Sequence, residues 1–582
     1  MKKINKLVLG VVSGLVLMYS CKDSFLDVPV TGALDEGILA GRLGLDASLL
    51  AVYSQVNGRA NRMASPSNWV WGSIRGADAN KGTDPGDFST INPVQRYDAL
   101  PTGDVISDKW AGNFEGVARA NATLRLLENA AEDVSDDFKK GIKAQALFLR
   151  AHFYFELTRG YGKVPYVDET IDYGGGIEEV KNDTDIMPKI LADMQFAVDN
   201  LPETQGDVGR VNKWAAKAYL GKIHMWMKNY SGALTEFHEV LDKGKTSNGK
   251  KYALVGKFQD VFKASNDNHE ESIWAYQAAA NTGSVNNANP EFDLNWPYNT
   301  GADGPGNCCS FFQPTFESAN WYRTSAGLPL LGNNGATNDY NLIANEVKND
   351  MGLESADAFA PDGGALDPRI DHSIGRRGIP YLDWQDFPGK AWIRNQPNAG
   401  PYQTKKFVYY KSDKGSLQDN SSWTPGYTAV NFPIIRVADV MLMTAEAEIE
   451  AGDPMKAREL VNAIRQRAKN SALRRGETGP FAANYVIELY GDTWVKDDNA
   501  RAKVRFERQL ELHSEGHRFY DLIRWGIAKD VLNRFIAYEA PKYGLGALND
   551  AVFNEGKDEL LPIPQAQIDL IGSDILKQNP GY

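Results

Sequence analysis

The sequence has very little cysteine: Cys21, Cys308 and Cys309 are its three thiols in 582 residues. Three cysteines are too few for a disulfide framework in so long a chain, so packing has to hold the fold together. Cys308 and Cys309 are neighbours, and adjacent Cα atoms lie closer than an ordinary disulfide prefers. Two free thiols and one strained pair are both compatible with this spacing, and the geometry favours the free thiols.

The chain also lacks an excess of positive charge and, beyond its first twenty residues, any long apolar run. It carries 63 Lys and Arg against 75 Asp and Glu, a formal net charge of −12. An acidic protein without a basic stripe interleaved with aromatics repels phosphate backbones, so we exclude nucleic acid as a partner. No later segment has the roughly 18 apolar residues needed to cross a bilayer.

Motifs of common enzymes are missing as well, including the Gly-x-Ser-x-Gly elbow and the phosphate-binding P-loop. His513 and His517 have the spacing of a zinc-binding helix, but Gly516 between them weakens that helix. A glycosidase needs two carboxylates that face each other across a sugar, and no pattern singles out such a pair. We predict a protein that is not an enzyme. Its charged C-terminal residues are expected to form a buried network, in which Arg508, Arg518 and Arg524 pair with Glu507, Glu515 and Asp521.

The first twenty residues have the pattern of an export signal. Three lysines precede an apolar run at 7–19, which is too short to span a bilayer. A serine and Cys21 follow at once, and residues 18–21 resemble the lipobox of bacterial lipoproteins, whose cysteine is acylated. We predict that residues 1–20 are a lipoprotein signal peptide and that lipid on Cys21 anchors the mature protein to a membrane.

Apolar residues at helical spacing recur through two parts of the chain, 110–280 and 433–582. The helices predicted there include 135–161, 230–244, 454–469 and 519–529. Residues 22–110 mix short helical patterns with loops rich in Gly, Asp and Pro. In 281–432 the periodicity fades, and Asn, Gly, Pro, Tyr and Trp dominate. Loops this long are uncommon in compact domains unless they are functional, so we predict that the helices form a frame and that 281–432 binds a ligand.

The helical parts contain a degenerate repeat. Gly221 and Ala233 fall at tetratricopeptide spacing, and Ala445 and Ala457 recur at the same separation. Small residues at these positions let two antiparallel helices touch closely. Two copies are too few for a free-standing solenoid, so residues 110–161 are expected to add further pairs to the stack. Unrelated helical hairpins are the alternative.

Several stretches of the chain resemble the SusD/RagB family. Residues 436–447 read RVADVMLMTAEA, and residues 515–526 read EGHRFYDLIRWG. Each stretch alone is a weak signal, but together, in this order behind a lipobox-like cysteine, they are specific. The other matching stretches are 148–157, 161–165, 210–218 and 561–582.

This resemblance implies a mainly α fold, a tetratricopeptide-like scaffold of helix pairs with long irregular loop insertions, in a single domain at 21–582. It also implies a lipid-anchored protein on the outer membrane, at the cell surface, that captures a glycan and hands it to a SusC-like TonB-dependent barrel transporter. A peptide receptor of the RagB type and a surface glycosidase are the alternatives. The matching motifs lie on the frame, so the resemblance does not identify the ligand.

Candidate ligand-binding residues follow from the chemistry of sugars. A pyranose ring offers flat patches of C–H groups ringed by hydroxyls, which aromatic faces and planar amides complement. The alternative is that each ring anchors the core of an irregular loop. The candidates are Trp69 and Trp71, before a Gly-rich loop, and Asn295, Trp296, Tyr298, Trp321 and Tyr322 in the insertion.

The Gly-rich loop also carries four oxygen-bearing side chains: Asp78, Asn80, Asp84 and Asp87. Calcium prefers such ligands, but the spacing lacks the closing glutamate of an EF-hand. Ordinary solvated turn residues are the alternative. We expect no other cofactor.

Overall fold

Helices dominate the described part of the chain, which in this computed structural model comprises residues 39–58, 63–289, 295–335, 337–421 and 424–582. The α-helices are α1 (Arg42–Gln55), α2 (Asn92–Arg96), α3 (Asp104–Glu128), α4 (Asp136–Tyr161), α5 (Met187–Asn200), α6 (Lys213–Trp226), α7 (Tyr230–Lys243), α8 (Phe316–Asn320), α9 (Gly332–Gly335), α10 (Ile370–Ser373), α11 (Gln396–Ala399), α12 (Val437–Ala451), α13 (Pro454–Lys469), α14 (Asp498–Glu511), α15 (Arg518–Trp525), α16 (Ala528–Glu539) and α17 (Gln565–Ile571). The strands are β1 (Ala79–Gly82), β2 (Ser272–Tyr276), β3 (Phe311–Pro314), β4 (Thr324–Ser325), β5 (Leu328–Pro329), β6 (Ile374–Gly375), β7 (Gln403–Thr404) and β8 (Phe432–Arg436).

The long helices pack in one continuous series, each against the next. α3 packs on α4, α4 on α5, α5 on α6 and α6 on α7. The series then passes from α7 directly to α12 and α13, although the whole insertion separates α7 from α12 in the chain. The predicted fold class is confirmed: a mainly α scaffold of tetratricopeptide-like helix pairs that carries long irregular loops.

Small residues allow the close helix contacts that the repeat predicts. A Cβ atom at Gly221 of α6 would lie 2.3 Å from the ring of Phe237 in α7. A Cβ atom at Gly116 of α3 would lie 2.4 Å from the ring of Phe153 in α4. Real Cβ atoms do not approach this closely, so glycine is required at both contacts. The expectation that 110–161 adds a pair to the stack is therefore confirmed.

The two ends of the insertion lie side by side, because the strand before it pairs with the strand at its end. β2 pairs antiparallel with β8, so that Ser272 faces Arg436 and Tyr276 faces Phe432. Within the insertion, short antiparallel pairs join β4 to β5 and β6 to β7, while β3 pairs with β1 from the N-terminal region. A rigid stack with its insertion closed at the base gives the loops a fixed position.

A buried ionic network ties the insertion and the C-terminal helices to the frame. The guanidinium of Arg436, where β8 ends, contacts the carboxylates of Glu271, Glu511 and Glu515 at 2.7, 2.8 and 2.8 Å. The side chains of this buried ionic network are at most 4% exposed. Equal numbers of cations and carboxylates leave the network close to neutral. The remaining members are Arg369 and Lys406 from the insertion, Arg465 and Arg467 from α13, Asp367 and Glu507.

The network predicted from the sequence exists, but most of its partners differ from the prediction. Arg508 and Arg524 both contact Asp521, at 2.7 and 3.0 Å, as predicted. Glu507 and Glu515 pair instead with Arg369 and Arg436 of the buried ionic network. Arg518 forms no ion pair with any described residue, and its guanidinium lies 5.0 Å from the centroid of the Trp321 ring.

The two adjacent cysteines differ from the sequence expectation. The structure joins Cys308 and Cys309 in a disulfide, so the preference for free thiols was wrong. The preference rested on the usual Cα–Cα distance of disulfides, which is set by cysteines distant in the chain and does not apply to adjacent ones. Cys309 is buried in the insertion and Cys308 is half-buried.

The membrane anchor cannot be placed on this fold, because residues 1–20 and Cys21 lie outside the described residues. Among those that are described, no helix has both the length and the apolar character to cross a bilayer. The predicted domain boundaries at 20 and 21 stay predictions.

Candidate functional site

Most of the aromatic side chains predicted to bind sugar are buried in the core. The exposed fractions are 4% for Trp69, 1% for Trp71, 0% for Trp296, 1% for Trp321, 0% for Tyr322 and 3% for Asn295. A ring that offers no face to solvent cannot stack on a sugar unless the surrounding loops rearrange. In this structure these side chains do not form an exposed platform, and their part in ligand binding stays a prediction.

Contacts with other parts of the chain explain this burial. The indole nitrogen of Trp71 donates to the carbonyl of Met63 at 2.7 Å. Trp296 packs edge-to-face on Tyr409, with ring centroids 5.9 Å apart. Trp321 meets the ring of His513 in the same way at 5.7 Å. These rings anchor irregular loops, which is the alternative that the sequence left open.

Tyr298 is the exception among the predicted rings, because it is half-buried at the surface. Its backbone N–H donates to the carbonyl of Trp392 at 2.9 Å, which fixes this turn of the loop. The next residue, Asn299, is exposed and donates its N–H to the carbonyl of exposed Asn307 at 3.2 Å. Two residues with exposed amide side chains, Asn299 and Asn307, therefore belong to the same turn as Tyr298.

Arg394 connects this ring to the Gly-rich loop. Its guanidinium carbon lies 5.7 Å from the centroid of the Tyr298 ring, within range of a cation–π contact. The same guanidinium pairs with Asp84 at 2.7 Å and with Asp87. We call this set of residues the Tyr298 surface; it consists of Tyr298, Asn299, Asn307, Arg394, Asp84 and Asp87.

Lys81 supports the loop of the Tyr298 surface from below. Its ammonium donates to the backbone carbonyls of Asp84 and Asp87 at 2.9 and 2.7 Å. Burial lowers the pKa of Lys81 to about 8. Lys81 thus binds the backbone oxygens of this turn. The side chains of Asp84 and Asp87 remain paired with Arg394.

The four side chains considered for calcium do not converge on one position. Asp78 accepts from the N–H of Ser514 at 3.1 Å, and burial raises its pKa to about 6. Asn80 donates to the carbonyl of Ala399 at 3.0 Å, inside the core. Asp84 and Asp87 already pair with a guanidinium. Across the described residues, no group of three or more His, Cys, Asp or Glu could hold a metal ion, and calcium binding at this loop stays a prediction.

The Tyr298 surface combines side chains that complement a sugar. Its ring supplies an apolar face, the two asparagines supply amide donors and acceptors, and the paired charges hold the guanidinium in place. A guanidinium fixed by two carboxylates loses little further freedom when it donates to a ligand hydroxyl.

A second surface with exposed aromatics was missed by the sequence reasoning. A groove of about 790 Å³ is lined by half-buried Trp384 and by Phe481, which is 51% exposed. Trp384 lies in the predicted insertion, but Phe481 lies between α13 and α14, in a part predicted as frame. The signal for Phe481 was its position among Gly and Pro residues outside any helical pattern.

His513 and His517 lie in the turn between α14 and α15 and not on one helix. Burial lowers the pKa of His513 to about 3 and that of His517 to about 4, so both rings are neutral at pH 7. The Nε2 atom of His513 is 3.0 Å from the carbonyl oxygen of Asp78. The structural interpretation of this pair is supported.

Two family profiles match the sequence. One, described as the SusD family, covers residues 270–582, which is more than half of the chain. The chain belongs to the SusD family. The second profile, described as starch-binding and associating with the outer membrane, covers residues 78–225 of this SusD-family protein.

Individual relatives agree with this assignment. The SusD-like protein P25 of Formosa agariphila is 28% identical over 441 residues, 73% of this chain and 71% of that one. A SusD superfamily protein of Bacteroides vulgatus superposes with a TM-score of 0.67 at 20% identity, over 93% of this chain and 99% of that one. Surface glycan-binding protein A of Bacteroides thetaiotaomicron, solved with laminarihexaose, superposes with a TM-score of 0.63 at 19% identity, over 93% and 99%.

Proposed function

We propose that this SusD-family protein captures an oligosaccharide or polysaccharide at the Tyr298 surface and does not cleave it. The observation that carries the proposal is the family membership, because solved relatives include a laminarin-binding protein and a surface glycan-binding protein with laminarihexaose. The Tyr298 surface adds local support, since it joins an aromatic ring, two amides and a fixed guanidinium. The two carboxylates of this surface, Asp84 and Asp87, both pair with Arg394, whereas a glycosidase needs two carboxylates that face each other across the sugar.

Binding at this surface is expected to be weak. An aromatic platform that covers about 40–50 Å² of sugar contributes roughly 1 kcal/mol. A few such contacts with hydrogen bonds must overcome the entropy of association, which gives a Kd of roughly micromolar to millimolar. Weak binding suits a receptor that has to release its cargo.

Replacing Tyr298 with alanine is expected to weaken binding about three- to tenfold, because it removes one platform and the ring beside Arg394. The measurement is retardation of the purified mature protein in gels that contain one polysaccharide each, across a panel of glucans and other glycans. Tyr173→Ala is the matched control: Tyr173 is also a surface tyrosine under an arginine, with Arg125 4.3 Å from its ring centroid.

Equal weakening by Tyr298→Ala and Tyr173→Ala would count against the proposal. A second result would also count against it: Trp384→Ala abolishes glycan binding while Tyr298→Ala leaves it unchanged. The binding site would then be the groove at Trp384. Retention of peptides with no retardation by any glycan would favour the peptide receptor. Shortened sugar chains after incubation would favour the glycosidase.

We further propose that lipid on Cys21 holds the protein on the outer membrane, where it delivers the glycan to a SusC-like TonB-dependent barrel. The lipobox-like residues 18–21 and the profile described as associating with the outer membrane support this.

In its native cells a tagged protein is expected in the outer-membrane fraction, from which a barrel transporter copurifies in mild detergent. Cys21→Ala is expected to move most of it to the soluble fraction, because two or more acyl chains supply the anchor. An unchanged distribution of Cys21→Ala would exclude the lipid anchor, and purification without a barrel would exclude the partner.

A further inference from the structure

A cavity of about 470 Å³ lies among α14, α15, α16 and the part of the insertion around α9, and none of its lining residues belongs to the Tyr298 surface. Its lining is rich in arginine, and Asp498 is the one acid among the described residues that line it. This is unusual for a chain with a net charge of −12. Its polar and aromatic lining includes Arg501, Arg505 and Gln509 of α14 and Arg518 and Trp525 of α15.

Two of the arginines in this cavity lack a carboxylate partner. Arg501 is matched, because it pairs with Glu450 at 2.5 Å and with Asp498 at 2.9 Å. By contrast, Arg505 and Arg518 form no ion pair with any residue in the described ranges. This sets them apart from the arginines of the buried ionic network, each of which pairs with at least one carboxylate.

Aromatic rings hold the two unmatched guanidiniums in place. Arg505 lies 4.9 Å from the centroid of the Trp525 ring, and Arg518 lies 5.0 Å from that of Trp321. Stacking on a ring orients a guanidinium but leaves its N–H groups without acceptors. Burial lowers the pKa of both arginines, as expected for a desolvated cation without a close counter-ion.

Three residues that line this cavity carry donors without acceptors in the described part of the chain. The Nε atoms of Arg505 and Arg518 and the amide nitrogen of Gln509 are buried and have no hydrogen-bond partner among the described residues. Arg518 and Gln509 are themselves only 9% and 8% exposed. Buried donors without acceptors cost free energy, and their natural complement is an oxyanion, which only accepts.

We propose that this cavity binds an oxyanion carried by a sugar, such as the carboxylate of a uronic acid or a sulfate ester. The volume suits a small ligand of about one sugar ring, and the fork of a guanidinium matches carboxylate and sulfate oxygens in pairs. The sugar part of this inference rests on the glycan-binding function proposed above, whereas the oxyanion part rests on the cavity alone, which shares no residue with the Tyr298 surface.

The test is calorimetric titration of the full mature protein with four probes: glucuronate, glucose 6-sulfate, glucose and inorganic sulfate. We expect binding of both anionic sugars and none of glucose at the same concentrations. Arg505→Gln should weaken that binding about 10- to 100-fold, because it removes a charged hydrogen-bond donor. Arg505 is half-buried and has no ion pair to lose, so this variant should fold.

Arg474→Gln is the matched control, since Arg474 also stacks on a ring, 4.2 Å from the Phe481 centroid, but lies outside the cavity. It should bind the anionic sugars like the unchanged protein. Equal weakening by Arg505→Gln and Arg474→Gln, or binding of glucose as tight as that of glucuronate, would overturn the proposal. Inorganic sulfate that binds as tightly as glucose 6-sulfate would overturn its sugar part. Should Arg505→Gln not fold, Arg505→Lys keeps the charge without the fork and should bind measurably more weakly.

Discussion

Replacing Arg436 with methionine is expected to lower the free energy of unfolding by about 3–5 kcal/mol. The guanidinium of Arg436 contacts three carboxylates, from Glu271, Glu511 and Glu515, and it is 1% exposed. Methionine fills most of the volume but leaves these acids with fewer cations in a site that water does not reach. The measurement is equilibrium unfolding in urea, followed by circular dichroism.

Arg119→Met is the control for this experiment. Arg119 pairs with Glu115 at 2.6 Å on the surface of α3, where the two side chains are 25% and 51% exposed. Solvent screens such a pair, so the loss should be about 1 kcal/mol or less. Similar losses for the two variants would show that the buried ionic network does not hold the insertion to the frame.

The same network predicts sensitivity to acid. Burial alone would raise the pKa of Glu511, but the guanidiniums of Arg467, Arg436 and Arg369 hold it well below its usual range. A carboxyl whose pKa is lowered by folding stabilises the protein above its unfolded pKa, and that contribution is lost as the pH falls. Stability should therefore drop below about pH 4.5, the ordinary range of a glutamate, and less steeply in Arg436→Met.

Replacing Trp296 with alanine is also expected to cost about 3–5 kcal/mol, because it leaves a large cavity in a packed cluster. Trp296 is 0% exposed and packs with rings from distant parts of the insertion, including Tyr381, Trp392 and Tyr409. A Cβ atom at Gly426 would lie 1.4 Å from its ring, which shows how tightly the backbone closes over it. Thermal unfolding by calorimetry measures the effect.

Tyr298→Ala provides the comparison, two residues away in the same loop. Tyr298 is half-buried, and its ring contacts Arg394 at the surface. Its removal should cost less than half as much stability as the removal of Trp296. Should Trp296→Ala instead unfold at the same temperature as the unchanged protein, the ring would not be a core anchor, and its interpretation as an exposed platform would return.

Local sequence patterns were sufficient to predict the frame. Apolar spacing predicted helices whose ends agree with α4, α7 and α13 within one or two residues, since periodicity and caps act over a few residues. One helix was predicted over 519–529, but Gly526 adopts a φ of +70° and separates α15 from α16. A glycine in that conformation ends a helix even where the apolar spacing continues.

The site was predicted less well, because burial in irregular loops depends on residues far apart in the chain. Composition identified 281–432 as rich in aromatics, but the partners that cover Trp296 lie about a hundred residues further on. Likewise Arg518 has three acids within seven residues, but in the folded protein each of them pairs with another arginine that is more distant in the chain. No local pattern contains this information.

A crystal structure of the protein with the oligosaccharide that it binds most tightly would locate the ligand. We predict a sugar ring against the exposed part of the Tyr298 ring, with ligand hydroxyls within hydrogen-bond distance of Arg394 or of Asn299 and with every glycosidic bond intact. A sugar bound only in the groove at Trp384, or a cleaved ligand, would contradict capture at the Tyr298 surface.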